Sequence, residues 1–484
     1  MRLGDLIETV SAAHRDVWIE RVVADSRLAG PGALFVARTG TAVDGHSFIG
    51  DAVRAGCVAV VGGSEPPAGL HVPYVRVDDP ARAVGELAAR ANGDPSRALS
   101  VVGVTGTNGK TTVATLLYQL FTALGRPSGL IATTGIRIAR ARRPNAHTTP
   151  DPVELQRLLA TMVAAGCRHC FMEVTSHGID QQRIAGVHFA GGIFTSLDRD
   201  HLDYHGSLEA YAAVKQRFLG GLPASAFALA NADDQYGRFM VAATAARVAF
   251  YGREAEALLP WSLERCDERG SVVRIAGRRM RTRLLGEHNV SNLSAAVTAA
   301  TLLGADLERV LGAVPRLTAP RGRMQRVAAD PVLAIVDYAH TPESLVRVLA
   351  SVRSLRPGGK LIVVGGCGGD RDTGKRAAMG AALATADVPI FTADNPRSED
   401  PGAIIESMLG GLDLGARPRV VVELDRRHAI RQAVRIAEPG DALLLLGKGH
   451  ERSQEIAGTK HPWDDAVELR RALVERAAAA LVST

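Results

Sequence analysis

The residues best suited to chemistry are Lys110, Thr111 and Thr112, which close the run GVTGTNGKTT at Gly103 to Thr112. A β-branched run, Ser100 to Val102, precedes it, and Val113, Leu116, Leu117 and Leu120 follow at helical spacing. Strand, glycine-rich turn and helix N-terminus together cradle phosphate. Backbone N–H groups and the helix dipole face the oxygens, Lys110 adds a point charge, and the Thr111 hydroxyl can reach Mg²⁺. The strict P-loop spacing is not met, since Val104 stands where its first glycine would be, but the core Gly106-Thr107-Asn108-Gly109-Lys110-Thr111 is intact. The run reads as a nucleoside-triphosphate site.

Other polar groups could serve it. Glu173 ends the apolar run of HCFMEVTSHG, read as a strand, where a carboxylate can hold the Mg²⁺ of a nucleotide. After the strand GGIFTSL come Asp198, Arg199, Asp200, His201, Asp203, Tyr204 and His205, a cluster too costly beside a buried strand unless paired or metal-bound. Lys215 lies on the next helix, and spacing gives no reason to read it as other than solvated. Asp25, Ser26 and Arg27 stop an early strand and read equally as ligand contacts, a helix cap or an exposed turn.

The elements that must position these groups alternate strand and helix, so the expected class is α/β. A chain of 484 residues exceeds one hydrophobic core. Three domains are expected: a small N-terminal α/β unit over 1–98, a central P-loop ATPase domain with a parallel sheet over 99–328, and a Rossmann-like α/β domain over 329–484. In the last of these, three polar loops follow strands: Gly368 to Arg371, Asp394 to Arg397, and Gly447 to Glu451. Arg371 and Arg397 can grip carboxylates bidentately and Glu451 can pair with an ammonium, which suits a zwitterionic amino acid. Asp394-Asn395-Pro396 alone is also good turn chemistry.

Composition narrows the class further. With 46% hydrophobic and 22% charged residues the chain is an ordinary globular protein. The net charge of +6 is spread out, and the arginine clusters at 140–143 and 278–283 lack interleaved aromatics, which favours solvated surface over nucleic-acid binding. Five cysteines point to a reducing compartment, with Cys167 and Cys170 read as buried thiols on a helix-to-strand passage. No apolar run approaches membrane-spanning length and the N-terminus has no signal-peptide pattern, so a cytoplasmic protein is expected, taken to be a monomer.

GTNGKTT, MEVTSHG, RDHLDYHG and YAAVKQRF, in this order, resemble the Mur ligase family of ATP-dependent amide-bond-forming enzymes. The match continues through NADD, GEHNVSN, GRMQ, DYAHTP, GGDRDTGKR, DNPRSEDP and GKGHE, nearly the whole chain. The resemblance implies that an acyl phosphate forms from ATP on the D-glutamate carboxylate of a UDP-muramoyl dipeptide, and that an amino acid then attacks it, in peptidoglycan precursor synthesis. It implies a Lys215 carbamylated by CO₂ that helps hold a second Mg²⁺, with Thr111, Glu173 and His201 as further metal-associated positions. It implies nucleotide contacts at Thr107 to Thr112, Asn289, Asn292, Arg323, Asp337 and His340. Ser26, Thr41, Ala42 and Val43 match uridine-nucleotide contacts, and His147, Thr148, Thr149, Thr175, Gln181 and Arg183 match contacts to the dipeptide substrate. In the family, Asp394-Asn395-Pro396-Arg397 is the wording of members that take meso-diaminopimelate, with Arg371, Gly447 and Glu451 beside it.

Five positions depart from the usual family wording: His147, Thr175, Asp180, Ser196 and His288. His147 and Asp180 fall near the implied substrate contacts. The alternative they raise is a paralogue of specialised metabolism that joins another amino acid to a different carboxylate.

Overall fold

The computed structural model describes residues 1–40, 43–413 and 415–482. Thr41 and Ala42 therefore lie outside the described residues. The first sheet orders Arg21–Val23, Ala33–Val36, Ala59–Gly62 and Tyr74–Arg76, all parallel. The two inner strands are buried along their whole length, as strands covered on both faces must be. The helix Pro80–Ala91 starts at an Asp79 cap with proline at its first position and lies over this sheet. The same helix joins the first unit to the second, because Gly85 brings its backbone directly against Ala185 and Gly186 and a Cβ there would strike the Ala185 carbonyl.

The second sheet has eight strands, in the order Arg247–Tyr251, Phe227–Asn231, Phe189–Phe194, Ser100–Thr105, His169–Glu173, Ser128–Ala132, Gly135–Ile138 and Ala141–Arg143. The first six are mutually parallel, and the last two are added by successive antiparallel pairings. Ser100–Thr105 sits at the switch point, with His169–Glu173 on one side and Phe189–Phe194 on the other. The glycine-rich turn, Glu173 and the segment from Thr195 to Asp198 therefore open onto one crevice at the strands' carboxyl ends. The strands read over HCFMEVTSHG and GGIFTSL end at Glu173 and Phe194 because their polar tails leave the sheet to build this crevice. Helix Lys110–Ala123 is buried almost all round and packs on Glu287–Leu302.

An antiparallel meander, Trp261–Asp267, Gly270–Ile275 and Arg278–Thr282, follows. The last sheet runs Gln325–Ala328, Leu333–Val336, Ala442–Leu445, Leu361–Gly365, Val388–Phe391 and Val421–Val422, parallel except for its first strand. That antiparallel edge strand precedes residue 329, where the sequence reading begins the last domain. Cys167 and Cys170 are buried free thiols, and burial pushes the Cys170 thiol up. Among the described residues no helix is long and apolar enough to cross a membrane.

Candidate active site

The glycine-rich turn is shaped by two left-handed glycines, Gly106 at φ +141° and Gly109 at φ +88°, which are costly for residues with a Cβ. A Cβ on Gly109 would also come within 2.5 Å of Asn292 Oδ1. The turn is held from the neighbouring strand end: Thr107 N–H donates to the Ser196 carbonyl at 2.7 Å, and Asn108 N–H donates to Ser196 Oγ at 3.3 Å. Ser196, one of the departures, thus keeps a side-chain acceptor in place. Lys110 folds over its own loop, donating from Nζ to the carbonyls of Gly106 and Thr107, both at 2.8 Å. Burial pulls the Lys110 ammonium below its ordinary value, against the attraction of Glu173 and Asp200.

Lys215 is not solvated. It is 1% exposed on the helix Leu208–Gly220, donates from Nζ to Gly106 O at 3.0 Å, and lies 4.4 Å from the Tyr211 ring centroid. Two lysines therefore converge on one carbonyl oxygen, and among the described residues no carboxylate forms an ion pair with Lys215. Burial, and then Lys110, hold the Lys215 amine well below the usual lysine value.

Glu173 is 1% exposed, and its Oε1 accepts from Thr133 N–H at 2.7 Å and Thr133 Oγ1 at 3.0 Å. Thr133 Oγ1 lies 3.0 Å from Thr148 Oγ1, and Thr149 Oγ1 reaches both the Glu173 carbonyl and Thr175 Oγ1, each at 3.0 Å. His201 adopts a left-handed backbone at φ +54° and stands 3.5 Å from Asp200 through Nε2. Burial pushes the Asp200 carboxyl up, yet His201, His340, Lys375 and Lys110 together hold it below the ordinary carboxylate value. The sequence reading saw Asp200 only as one of a cluster. Asp198, in the same cluster, is paired with Asn108 Nδ2 at 3.0 Å and with Arg347 Nη2 at 3.3 Å.

One cavity gathers all the positions matched to nucleotide: Thr107 to Thr112, Asn289, Asn292, Arg323, Asp337 and His340. Thr148, Glu173, Thr175 and His201 line it too, together with Thr133, Asp200, His288, Tyr338 and Arg347, which the motif reading did not single out as site residues. Arg323 reaches Thr111 Oγ1 at 3.4 Å and lies 4.5 Å from the Tyr338 ring centroid. Both Asp337 oxygens accept backbone N–H groups, from Met324 at 2.6 Å and Ala339 at 2.7 Å. Among the described residues no three His, Cys, Asp or Glu side chains gather as a self-sufficient metal cage. Mg²⁺ dehydrates reluctantly and takes one or two carboxylates with substrate phosphates. Glu173, with one oxygen anchored, and the Thr111 hydroxyl supply hard oxygen ligands of this kind.

Gln181 and Arg183 bind each other, Arg183 donating from Nη2 to Gln181 Oε1 at 2.7 Å and from Nη1 to Thr149 O at 3.0 Å. Burial and the neighbouring Arg38 pull the Arg183 guanidinium below its ordinary value. Two arginines so placed between the first and second units invite an anion, and no motif flagged Arg38. The Asp25 side chain caps the turn that starts at Ser26, accepting from Arg27 N–H at 3.0 Å. Val43 and His147 are exposed.

The three loops of the last unit do meet. Gly369 N–H donates to Asn395 O at 2.9 Å, Arg397 Nη1 donates to Gly369 O, and a Cβ on Gly447 would strike Asp394. Asn395 Nδ2 donates to Glu451 Oε2 at 2.8 Å, and Pro396 is buried beside them. Arg371 is exposed on the rim. Glu451 Oε2 also accepts from the Nζ of the buried Lys448 at 3.0 Å. Tyr338 connects this end to the nucleotide cavity, its ring 4.8 Å from that of His450.

Three family descriptions match the chain in succession: "Mur ligase family, catalytic domain" over 19–92, "Mur ligase middle domain" over 104–300, and "Mur ligase, glutamate ligase domain" over 322–449. The UDP-N-acetylmuramoyl-L-alanyl-D-glutamate–2,6-diaminopimelate ligase of Cytophaga hutchinsonii is 42% identical over 98% of this chain and 99% of its own. A solved structure of a ligase of that same name superposes with a TM-score of 0.71 at 32% identity, covering 99% of both chains. The MurF ligase of Thermotoga maritima, solved in complex with ADP, shares the fold at 18% identity, with a TM-score of 0.63 over 95% of this chain and 98% of its own.

Proposed function

Because the chain belongs to the Mur ligase family, we propose that it is the ATP-dependent ligase that joins meso-diaminopimelate to the D-glutamate carboxylate of UDP-N-acetylmuramoyl-L-Ala-D-Glu. The observation that supports this reading is Tyr338, which lines the phosphate cavity beside Arg323 and lies against His450 of the 447–451 loop, itself bonded to the Asp394 to Arg397 loop. Residues 1–98 with Arg183 hold the nucleotide-linked substrate, 99–328 hold ATP, and 329–484 hold the amino acid. Small-molecule substrates account for every cluster described; neither nucleic acid nor membrane is invoked, and the enzyme works in the cytoplasm as a monomer.

Amide formation from a carboxylate is uphill, so the carboxylate is first phosphorylated by ATP. Lys110 and Arg323 bring positive charge to the transferring oxygens, while the backbone N–H groups of Gly109 and Lys110 orient the phosphates. Thr111, Glu173 and His201, with Lys215 as a carbamate, would hold Mg²⁺, which would neutralise phosphate charge. The amine of the incoming amino acid then attacks the acyl phosphate, and phosphate leaves. Asp337 and His340 approach from the C-terminal side and Asn289 and Asn292 from the central side, so the two halves close around one nucleotide.

Substrate choice falls to Arg397. Its guanidinium holds the distal carboxylate that diaminopimelate has and L-lysine lacks. Arg397→Leu is expected to lower kcat/KM for meso-diaminopimelate roughly a hundredfold while changing L-lysine use little, since one charge-assisted bidentate contact is lost. Steady-state assays with both amino acids decide it. Equal losses for the two would refute a selective role for Arg397.

A further inference from the structure

Lys448 is a buried cation of the amino-acid end, its side chain 0% exposed. Nζ donates to Asn395 Oδ1 at 2.8 Å and to Glu451 Oε2 at 3.0 Å, and Asp394 Oδ1 lies 4.0 Å away. Asn395 Oδ1 also accepts from Glu455 N–H at 3.0 Å, while Nδ2 donates to Glu451 Oε2 at 2.8 Å. The Asn395 amide is therefore fixed in one orientation, its oxygen facing two donors and its nitrogen facing a carboxylate. Glu451 Oε2 is saturated by two donors, which leaves Oε1 for an incoming group.

Without exposed surface Lys448 cannot grip a substrate carboxylate itself; it acts through what it touches. Those partners lie on two different loops. Asn395 follows the strand Val388–Phe391, and Glu451 follows Ala442–Leu445. The loops are also pressed together where Gly447, at φ +99°, leaves room for Asp394. Arg397, two residues after Asn395, is tied to the same assembly, its N–H donating to Glu455 O at 3.1 Å. Two carboxylates, Asp394 and Glu451, face Lys448, while the nearby buried Arg426 is paired with Asp465, and the excess negative charge suits the amine of an amino acid.

We propose that Lys448 is a positioning residue: it clamps Glu451 and Asn395 into one acceptor for the ammonium of the incoming amino acid and fixes its spacing from Arg397. The inference rests on the reading of these loops as the amino-acid site. Lys448→Met strands Glu451 Oε2 and Asn395 Oδ1 without their shared donor.

The test is a double-mutant cycle with Glu451→Gln in the full-length enzyme, assayed with whichever of meso-diaminopimelate and L-lysine the parent consumes. Lys448→Met is expected to raise KM for the amino acid roughly tenfold or more, with KM for ATP and for the UDP-linked substrate unchanged. In the Glu451→Gln background the same change is expected to add less than about twofold. Independent, multiplying effects, or equal rises in all three KM values, would overturn the proposal.

Hydrogen–deuterium exchange decides the clamp without any substrate, so a parent that consumes neither amino acid counts against the site reading alone. Both 394–397 and 447–451 are expected to exchange faster in Lys448→Met, and unchanged exchange at 394–397 overturns the clamp. Lys448→Leu, which also removes the donor, replaces Lys448→Met in both measurements if the latter does not fold.

Discussion

Lys215→Met is expected to lower kcat about a thousandfold while the protein stays folded and still binds nucleotide. Lys215 lies beneath the phosphate loop, on the carbonyl that also receives Lys110, with no carboxylate ion pair among the described residues. A permanent ammonium there would repel Lys110 and any Mg²⁺ brought by the nucleotide. Burial and Lys110 instead favour the neutral amine. The neutral amine is the nucleophile that would attack CO₂, losing a proton, and a carbamate so formed would replace a repelling cation with an attracting carboxylate. The sign follows: occupancy rises above the depressed amine pKa and falls as pH drops through it. Labelling with ¹³C-carbonate followed by NMR checks the modification, and the activity of Lys215→Met checks its use. A fully active Lys215→Met enzyme would contradict the role.

Lys110→Met is the second large effect, again about a thousandfold in kcat, with a smaller loss in ATP affinity. In the structure Lys110 spends its donors on Gly106 and Thr107 of its own loop, which stores the charge beside the phosphate position at little reorganisation cost. Methionine keeps the length and loses the charge, so thermal stability is expected to hold while phosphoryl transfer stops. Single-turnover measurement of ADP formation separates the two. A variant that forms ADP at the parent rate would remove Lys110 from the chemistry.

What the sequence disclosed follows a physical divide. The phosphate loop was legible because a left-handed turn demands glycine at Gly106 and Gly109, and because lysine and threonine must follow at once. The ends of the strands carrying Glu173 and the Thr195 to Asp198 segment were legible for a similar local reason: an apolar run stops and polar residues begin. The burial of Lys215 was not, since its hydrogen-bond partner lies 109 residues away in the chain. Asp200, Tyr338, Arg38 and Lys448 owe their importance to neighbours from other elements, and no periodicity reports that.

The departures from family wording also resolve by contact. Thr175 keeps a hydroxyl that caps the helix Ser176–Asp180, accepting from Gly178 N–H at 3.0 Å. Asp180 is held by Arg217 at 2.6 Å and by Tyr204 at 2.9 Å, so it acts within the protein rather than as a new specificity group. His288 lines the nucleotide cavity with burial pushing its imidazole down to about 4, neutral at working pH. Nothing in the structure explains His147. These placements favour the diaminopimelate ligase over the specialised paralogue.

The most direct test of the account is phosphate release from ATP by the purified enzyme with UDP-N-acetylmuramoyl-L-Ala-D-Glu, comparing meso-diaminopimelate, L-lysine and no amino acid. The account predicts sustained release only with meso-diaminopimelate, accompanied by product carrying one added diaminopimelate. Sustained release with L-lysine alone, or none with either amino acid while ATP still binds, would contradict it.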